Sequence, residues 1–173
     1  KKRPAYNPLI VHIKSTDDLS LVAQHIPDMA YLLAARFWPG PLTLILEKKP
    51  HISDLITAGK KTVAVRIPRH PLTLDLLHRL DFPLAAPSAN PFGSISPTSA
   101  QHVAAYFKDN LEVILDGGNC EQGVESTIIG FENNQVVLYR HGAVATDEIA
   151  AIAGPLKVHT SDNMVPVSPG MLS

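Results

Sequence analysis

Several groups of polar side chains in this sequence have the types and spacing to do chemistry. The first is Lys1, Arg3 and Asn7, within Lys-Lys-Arg-Pro-Ala-Tyr-Asn-Pro. An arginine fork, a lysine point charge and an amide, stiffened by two prolines, suit a polyphosphate, though a solvated terminus has the same composition. The second is His12, at the end of an apolar run; it reads as a ligand-facing ring or as a satisfied rim histidine. The third is Thr62 with Arg66, four residues apart and so on one face of a strand. A cation on an apolar strand needs an anionic partner, either a ligand carboxylate or a structural Asp/Glu. The fourth is Pro87-Ser88-Ala89-Asn90-Pro91 with Ser96 and Thr98, small donors ahead of a helix, where backbone amides favour phosphate; an ordinary capped loop is the alternative. Glu125-Ser126-Thr127 and Arg140 close the set, as site residues or as hairpin decoration. Asp116-Gly117-Gly118 reads as a turn rather than a metal site.

The inventory favours a polyanion site. It holds cations, hydroxyls and amides but no evident nucleophile or carboxylate pair, so chemistry here rests on positioning and electrostatic stabilisation. No GxGxxG, GxxxxGK[ST], HExxH or GxSxG is present. The eight histidines include no i, i+4 pair and there is one cysteine, Cys120, so no protein-bound metal cage is expected.

Composition narrows the class. At 173 residues, 45% hydrophobic and net charge −1, the chain is neither disordered nor a generally basic nucleic-acid binder. No apolar run reaches the ~18 residues a membrane span needs, so no membrane association is expected. A lone cysteine fits a reducing, cytoplasmic setting.

The elements that must position these groups follow from pattern. Strands are expected at Pro8 to Ile13, Leu42 to Glu47, Thr62 to Ile67, Leu84 to Ala86 and Glu112 to Leu115, with a hairpin from Ser126 to Phe131 and Gln135 to Arg140 turned at Asn133-Asn134. Helices are expected from Ser15 to about His25 (Ser15 and Asp18 as a capping box), Met29 to Phe37 capped by Asp28, His51 to Ala58, Pro71 to Leu80, Thr98 to Phe107 with Thr98 and Gln101 as a capping box, and from Thr146 to Ala153. Strands interleave with helices and a hairpin is present, which implies a mixed α/β (α+β type) sheet covered by helices.

The ordered series Lys1-x-Arg3-Pro4-x-x-Asn7-Pro8, Trp38-Pro39-Gly40-Pro41, Val65-Arg66-x-Pro68-x-His70-Pro71, Pro87-Ser88-Ala89-Asn90, Ser96-Pro97-Thr98, Asp116-Gly117-Gly118 and Glu125-Ser126-Thr127 resembles the YrdC-like domain of L-threonylcarbamoyladenylate synthases. The resemblance spans residues 1 to about 154, and residues 155–173, with Ser168-Pro169-Gly170, look like a strand end and linker. It implies a twisted mixed sheet with a concave cleft. The implied activity is nucleotidyl transfer: L-threonine, bicarbonate and ATP give threonylcarbamoyl-AMP and pyrophosphate, for threonylcarbamoyladenosine formation in tRNA. Magnesium would enter with ATP.

By resemblance, Lys1 and Arg3 are the catalytic cations at the phosphates. Lys1, Arg3, Asn7, Thr62, Asn90, Ser96, Thr98 and Arg140 line the ATP site, and His12, Arg66, Ser88 and Ser126 bind threonine. Implied partners are tRNA or double-stranded RNA and the downstream threonylcarbamoyl-transfer proteins. In the family a helix and a strand with a Thr-Val-Tyr-Gly-type motif precede the Lys-x-Arg loop. The sequence starts at Lys1, so these 173 residues alone are expected to be a poor enzyme. Two alternatives are a related carbamoyl-transfer domain of a maturation factor and a non-catalytic RNA-binding module. Near-neutral charge and 6% aromatics weigh against the latter.

Overall fold

The structure, a computed structural model, describes residues 3–160. Seven strands form one mixed sheet in the order β4-β1-β3-β2-β5-β6-β7. They are β1 (Ile10–His12), β2 (Leu42–Glu47), β3 (Thr62–Arg66), β4 (Leu84–Ala86), β5 (Thr127–Glu132), β6 (Gln135–Arg140) and β7 (Lys157–Val158). β1 runs parallel to β3 and antiparallel to β4; β2 is antiparallel to β3 and parallel to β5. β5 and β6 form the expected hairpin, with Asn133 and Asn134 at positive φ in its turn. The expected mixed α/β architecture is therefore present.

The two faces of the sheet differ. On one, Val11, Leu42, Leu44, Leu46, Val63, Val65, Ile129 and Leu138 form a continuous core with α1 (Leu19–Val22), α2 (Asp28–Phe37) and α6 (Thr146–Ala153). Each fully buried Leu, Ile or Val there contributes roughly 1.5–3 kcal/mol. On the other, the buried apolar cluster is only Ile45, Ala64 and Ile128, edged by Ile10 and Tyr139. Alternation along β3 explains the split: Val63 and Val65 face the helices, while Thr62, Ala64 and Arg66 face away from them.

Several expected boundaries move. The Ser15 to His25 helix is a short 3₁₀ turn, Thr16–Asp18, followed by the single turn of α1. Ser15 makes no side-chain cap bond, and Ala23 leaves the helix to bridge Lys48 in extended form. Pro27, not Asp28, precedes α2, and α3 shrinks to Asp54–Thr57 because Ser53 caps it by accepting from Leu55 N–H. Helix α4 spans Pro71–His78. Helix α5 is Ala100–Phe107; Ser99, rather than Thr98, caps it by accepting from His102 N–H. Helix α6 starts at Thr146 as expected, with Ala145 before it.

Residues 112–115 form no strand, contrary to expectation. Val113 and Leu115 are exposed, and no described strand lies beside them to complete a ladder. β7 occupies Lys157–Val158, and the linker expected at Ser168-Pro169-Gly170 lies outside the described residues, as does Lys1.

Candidate functional site

One end of the sheet collects the chemistry. β1 ends at His12 and β3 at Arg66, and these two residues are register partners. β2 starts beside them at Leu42, β5 starts at Thr127 opposite Leu42, and β6 ends at Arg140 opposite Ile128. Strands of both directions thus place termini at the same edge. A cleft of about 520 Å³ opens there, lined by His12, Arg66, Ser88, Ser96, Thr98, Ser126 and Arg140 among others. Seven of the residues named from sequence meet in it. Glu125 is the one carboxylate among its lining residues.

Arg66 is held by one bond. Its Nε donates to Gly40 O at 2.9 Å, and no described residue is bonded to its Nη nitrogens. The Trp38-Pro39-Gly40-Pro41 turn exists to present that carbonyl: Trp38 Nε1 donates to Leu42 O at 2.7 Å, and Gly40 N–H donates to Ile67 O at 2.9 Å. A Cβ on Gly40 would lie 2.2 Å from Phe37 O, so only glycine fits. Burial lowers the Arg66 pKa, Arg140 lowers it further, and Glu125 opposes both. The result is a desolvated guanidinium with its fork toward the cleft, suited to a bidentate carboxylate or phosphate.

His12 faces the same space as a neutral ring. Burial, and then the positive charge of Arg66, hold its pKa down at about 4, while contacts with backbone carbonyls raise it only partly. Nδ1 lies 3.3 Å from Leu84 O, which assigns the proton to Nδ1 and leaves Nε2 as an acceptor. The shift has a stability consequence. A histidine protonates near 6.5 when unfolded and only near 4 in the fold, so the unfolded chain binds protons first as pH falls. The contribution is complete above pH 6.5 and is lost between 6.5 and 4, up to roughly 3 kcal/mol. Urea unfolding at pH 7 and pH 5 is expected to show a larger loss for wild type than for His12→Gln; equal losses would refute the neutral-ring assignment.

Ser126 and Arg140 form a clamp. Arg140 Nε and Nη2 donate to Ser126 O at 3.1 and 2.7 Å, and Nη1 pairs with Glu125. Ser96 Oγ donates to the other Glu125 oxygen at 3.0 Å. Burial lowers the Arg140 pKa, with Glu125 opposing. Arg140 therefore orders the Glu125–Ser126 segment rather than offering an uncommitted fork.

The structure does not bring every named residue to the cleft. Thr62 shares the Arg66 face but pairs with Glu47 at the far end of β3, about 13 Å away at ~3.3 Å per residue. Asn7 is buried with Arg3, whose Nη2 donates to Asn7 Oδ1 at 2.8 Å and whose Nε donates to Asn7 O at 3.3 Å. Both line a neighbouring cavity of about 450 Å³, not the cleft. Arg3 thus stiffens its own loop, although Glu125 acts on it electrostatically against the effect of burial. Asn90 is buried and donates to Ser94 O, bracing the 90–94 turn.

The sequence alone assigns no role to Thr43, Gly142 or Gly40, the last although it stands in the Trp38-Pro39-Gly40-Pro41 motif. Thr43 Oγ1 is 2.8 Å from Ser126 Oγ at full burial, and the signal was a hydroxyl within an otherwise apolar strand. Among the described residues no group of three His, Cys, Asp or Glu side chains is arranged to hold a metal ion, and no helix is long and apolar enough to cross a membrane.

Comparison with known proteins adds to this geometry. A family model, Sua5_yciO_yrdC (described as "Telomere recombination"), matches residues 1–142. Threonylcarbamoyl-AMP synthase of Pyrococcus abyssi is 48% identical over 159 residues, 92% of this chain and 47% of that protein. Its Bacillus subtilis counterpart is 45% identical over 175 residues, covering 99% of this chain and 51% of the relative. A crystal structure of P. abyssi Sua5 complexed with L-threonine superposes at a TM-score of 0.95, with 45% identity, over 100% of this chain and 52% of that one. The chain spans about half the length of the curated relatives it matches.

Proposed function

This chain belongs to the Sua5/YciO/YrdC family, and on that premise we infer that it carries a threonylcarbamoyl-AMP synthase site using L-threonine, bicarbonate and ATP. The observation that carries the reading is Arg66: a partly buried fork with uncommitted Nη nitrogens, beside an acceptor histidine and a clamped serine. That set matches an amino acid's carboxylate and its hydroxyl or amine. The P. abyssi relative, crystallised with L-threonine, supports this choice of ligand.

In this reading the Arg66 fork takes the threonine carboxylate and His12 Nε2 accepts from the hydroxyl or amine. Ser126, held by Thr43 and Arg140, closes the pocket. The amine and bicarbonate form a carbamate with loss of water. A carbamate oxygen then attacks the α-phosphorus, and pyrophosphate leaves. The protein supplies no nucleophile; Arg140, in the cleft, offsets charge on the triphosphate while the cleft aligns the reactants, and for Lys1 and Arg3 that role rests on the family resemblance alone. Ser96 and Thr98, which also line the cleft, are the hydroxyl donors for the nucleotide, and Ser88 joins the threonine side. Magnesium comes as the counter-ion of ATP, since a single lining carboxylate does not make a protein-held site. The product is consumed in tRNA threonylcarbamoyladenosine formation by cytoplasmic transfer proteins.

Two measurements test this. Calorimetric titration is expected to give L-threonine at least tenfold tighter than L-alanine, which lacks the hydroxyl. Pyrophosphate release is expected to need threonine, bicarbonate and ATP together. Equal affinity for the two amino acids, or release without threonine, would overturn the assignment.

A further inference from the structure

The connection after Arg66 does more than join β3 to α4. His70 caps α4, its Nδ1 accepting from Leu72 N–H at 3.2 Å. That bond places the ring proton on Nε2, which lies 3.0 Å from Gly117 O and donates to it. The contact is built, not grazing: a Cβ on Gly117 would fall 2.5 Å from His70 Cε1 and 2.8 Å from Nε2. Next to it, Arg69 pairs with Glu121. Cys120 N–H donates to Thr98 O at 2.8 Å, and Gly118 N–H donates to Asp116 Oδ1 at 2.9 Å, closing the turn. Residues 111–126 contain no helix or strand, so these ties take the place of a hydrogen-bonded ladder. Leu115, Gly118, Cys120 and Val124 of that segment line the same cleft as Arg66.

We propose that His70 is a positioning residue: with Arg69 it fixes the 116–121 segment as a wall of the cleft, and so sets affinity for the ligand held at Arg66. Arg66 and both tethers stand within five residues of one another, with Pro68 and Pro71 restricting the backbone between and after them. The position of the carboxylate-binding fork and the position of the wall are therefore one geometric quantity. This inference rests on the threonine reading of the cleft.

His70→Asn separates the roles. Asparagine is a good cap and its Oδ1 retains the acceptor for Leu72 N–H, but it is too short to reach Gly117. We expect unchanged thermal stability, amide exchange across 116–121 faster by about tenfold, and an L-threonine Kd raised by about the same factor, the equivalent of one lost hydrogen bond. Gly117→Ala, displacing the wall sterically, is expected to reproduce both changes. Unchanged exchange in both variants would overturn the tether; faster exchange with unchanged threonine affinity would overturn its control of binding. If wild type binds no L-threonine, the functional reading and the control of binding fall together, and exchange alone still decides the tether.

Discussion

Arg66→Ala is expected to lower L-threonine affinity at least a hundredfold while leaving the protein as stable as wild type. Each charge-assisted hydrogen bond to a guanidinium contributes about 1.5–3 kcal/mol, so losing a bidentate pair removes roughly 3 kcal/mol or more. The stability half of the prediction comes from what surrounds the residue. Arg66 is desolvated and repelled by Arg140, both of which lower its pKa, and its side-chain tether among the described residues is the single bond to Gly40 O. Removing a cation in that position relieves about as much as it forfeits. Arg66→Lys keeps the charge but not the fork, so an intermediate loss of roughly tenfold is expected. Calorimetry with L-threonine and a thermal melt decide the matter: threonine binding within threefold of wild type in Arg66→Ala would show that the carboxylate lies elsewhere.

Gly142→Ala is expected to be strongly destabilising. A Cβ there would lie 2.4 Å from Ser126 C and Thr127 N and 2.5 Å from Glu125 O. All three atoms are backbone, and they cannot step aside. Ala143 N–H donates to Glu125 O at 2.9 Å, and Thr127 N–H donates to Pro41 O at 2.9 Å. Thr127 Oγ1 both donates to Val144 O and accepts from Val144 N–H. Separating the two segments breaks several of these bonds at once. A loss of about 3 kcal/mol is expected from overpacking of this kind, or roughly 6–12 °C in Tm for a chain of this size. Because the displaced segment carries Ser126, the folded remainder should also bind threonine poorly. A milder case is Gly130→Ala, where the new Cβ meets the Tyr139 ring at 2.8 Å and Ile45 Cβ at 3.2 Å, side chains rather than backbone. If Gly142→Ala melts within 2 °C of wild type, the close approach is not a constraint on the fold.

The seat of each misreading is physical. Thr62 and Arg66 do share a face, as a period of two requires, but sharing a face says nothing of distance along the strand. They fall at opposite ends of β3. Residues 112–115 carry an apolar strand pattern, yet a strand is a property of a pair, and no described partner lies beside them. Arg3 and Asn7 are close as expected, but Arg3 donates to its own loop, because the Asn7 amide and the Pro8 carbonyl of that proline-stiffened turn are acceptors already within its reach. Gly40, Gly117 and Gly142 are indistinguishable in sequence from glycines at ordinary turns. The necessity of Gly117 and Gly142 lies in a side chain or backbone that approaches from far along the chain, and that of Gly40 in the Phe37 carbonyl three residues back.

Pattern alone determined most of the strands and helices, 112–115 excepted: β2 at Leu42–Glu47 and the 127–140 hairpin follow from local hydrophobic alternation and turn chemistry. The motif loops, held to polar side chains and prolines, also stood in the sequence. Tertiary structure decided which loops meet. The strand order interleaves parallel and antiparallel neighbours, so the ends of β1, β3 and β6 and the starts of β2 and β5 share one edge. Convergence of His12, Arg66, Ser126 and Arg140 is a consequence of that order, and long-range packing sets it: buried area, unlike backbone preference, depends on residues distant in sequence.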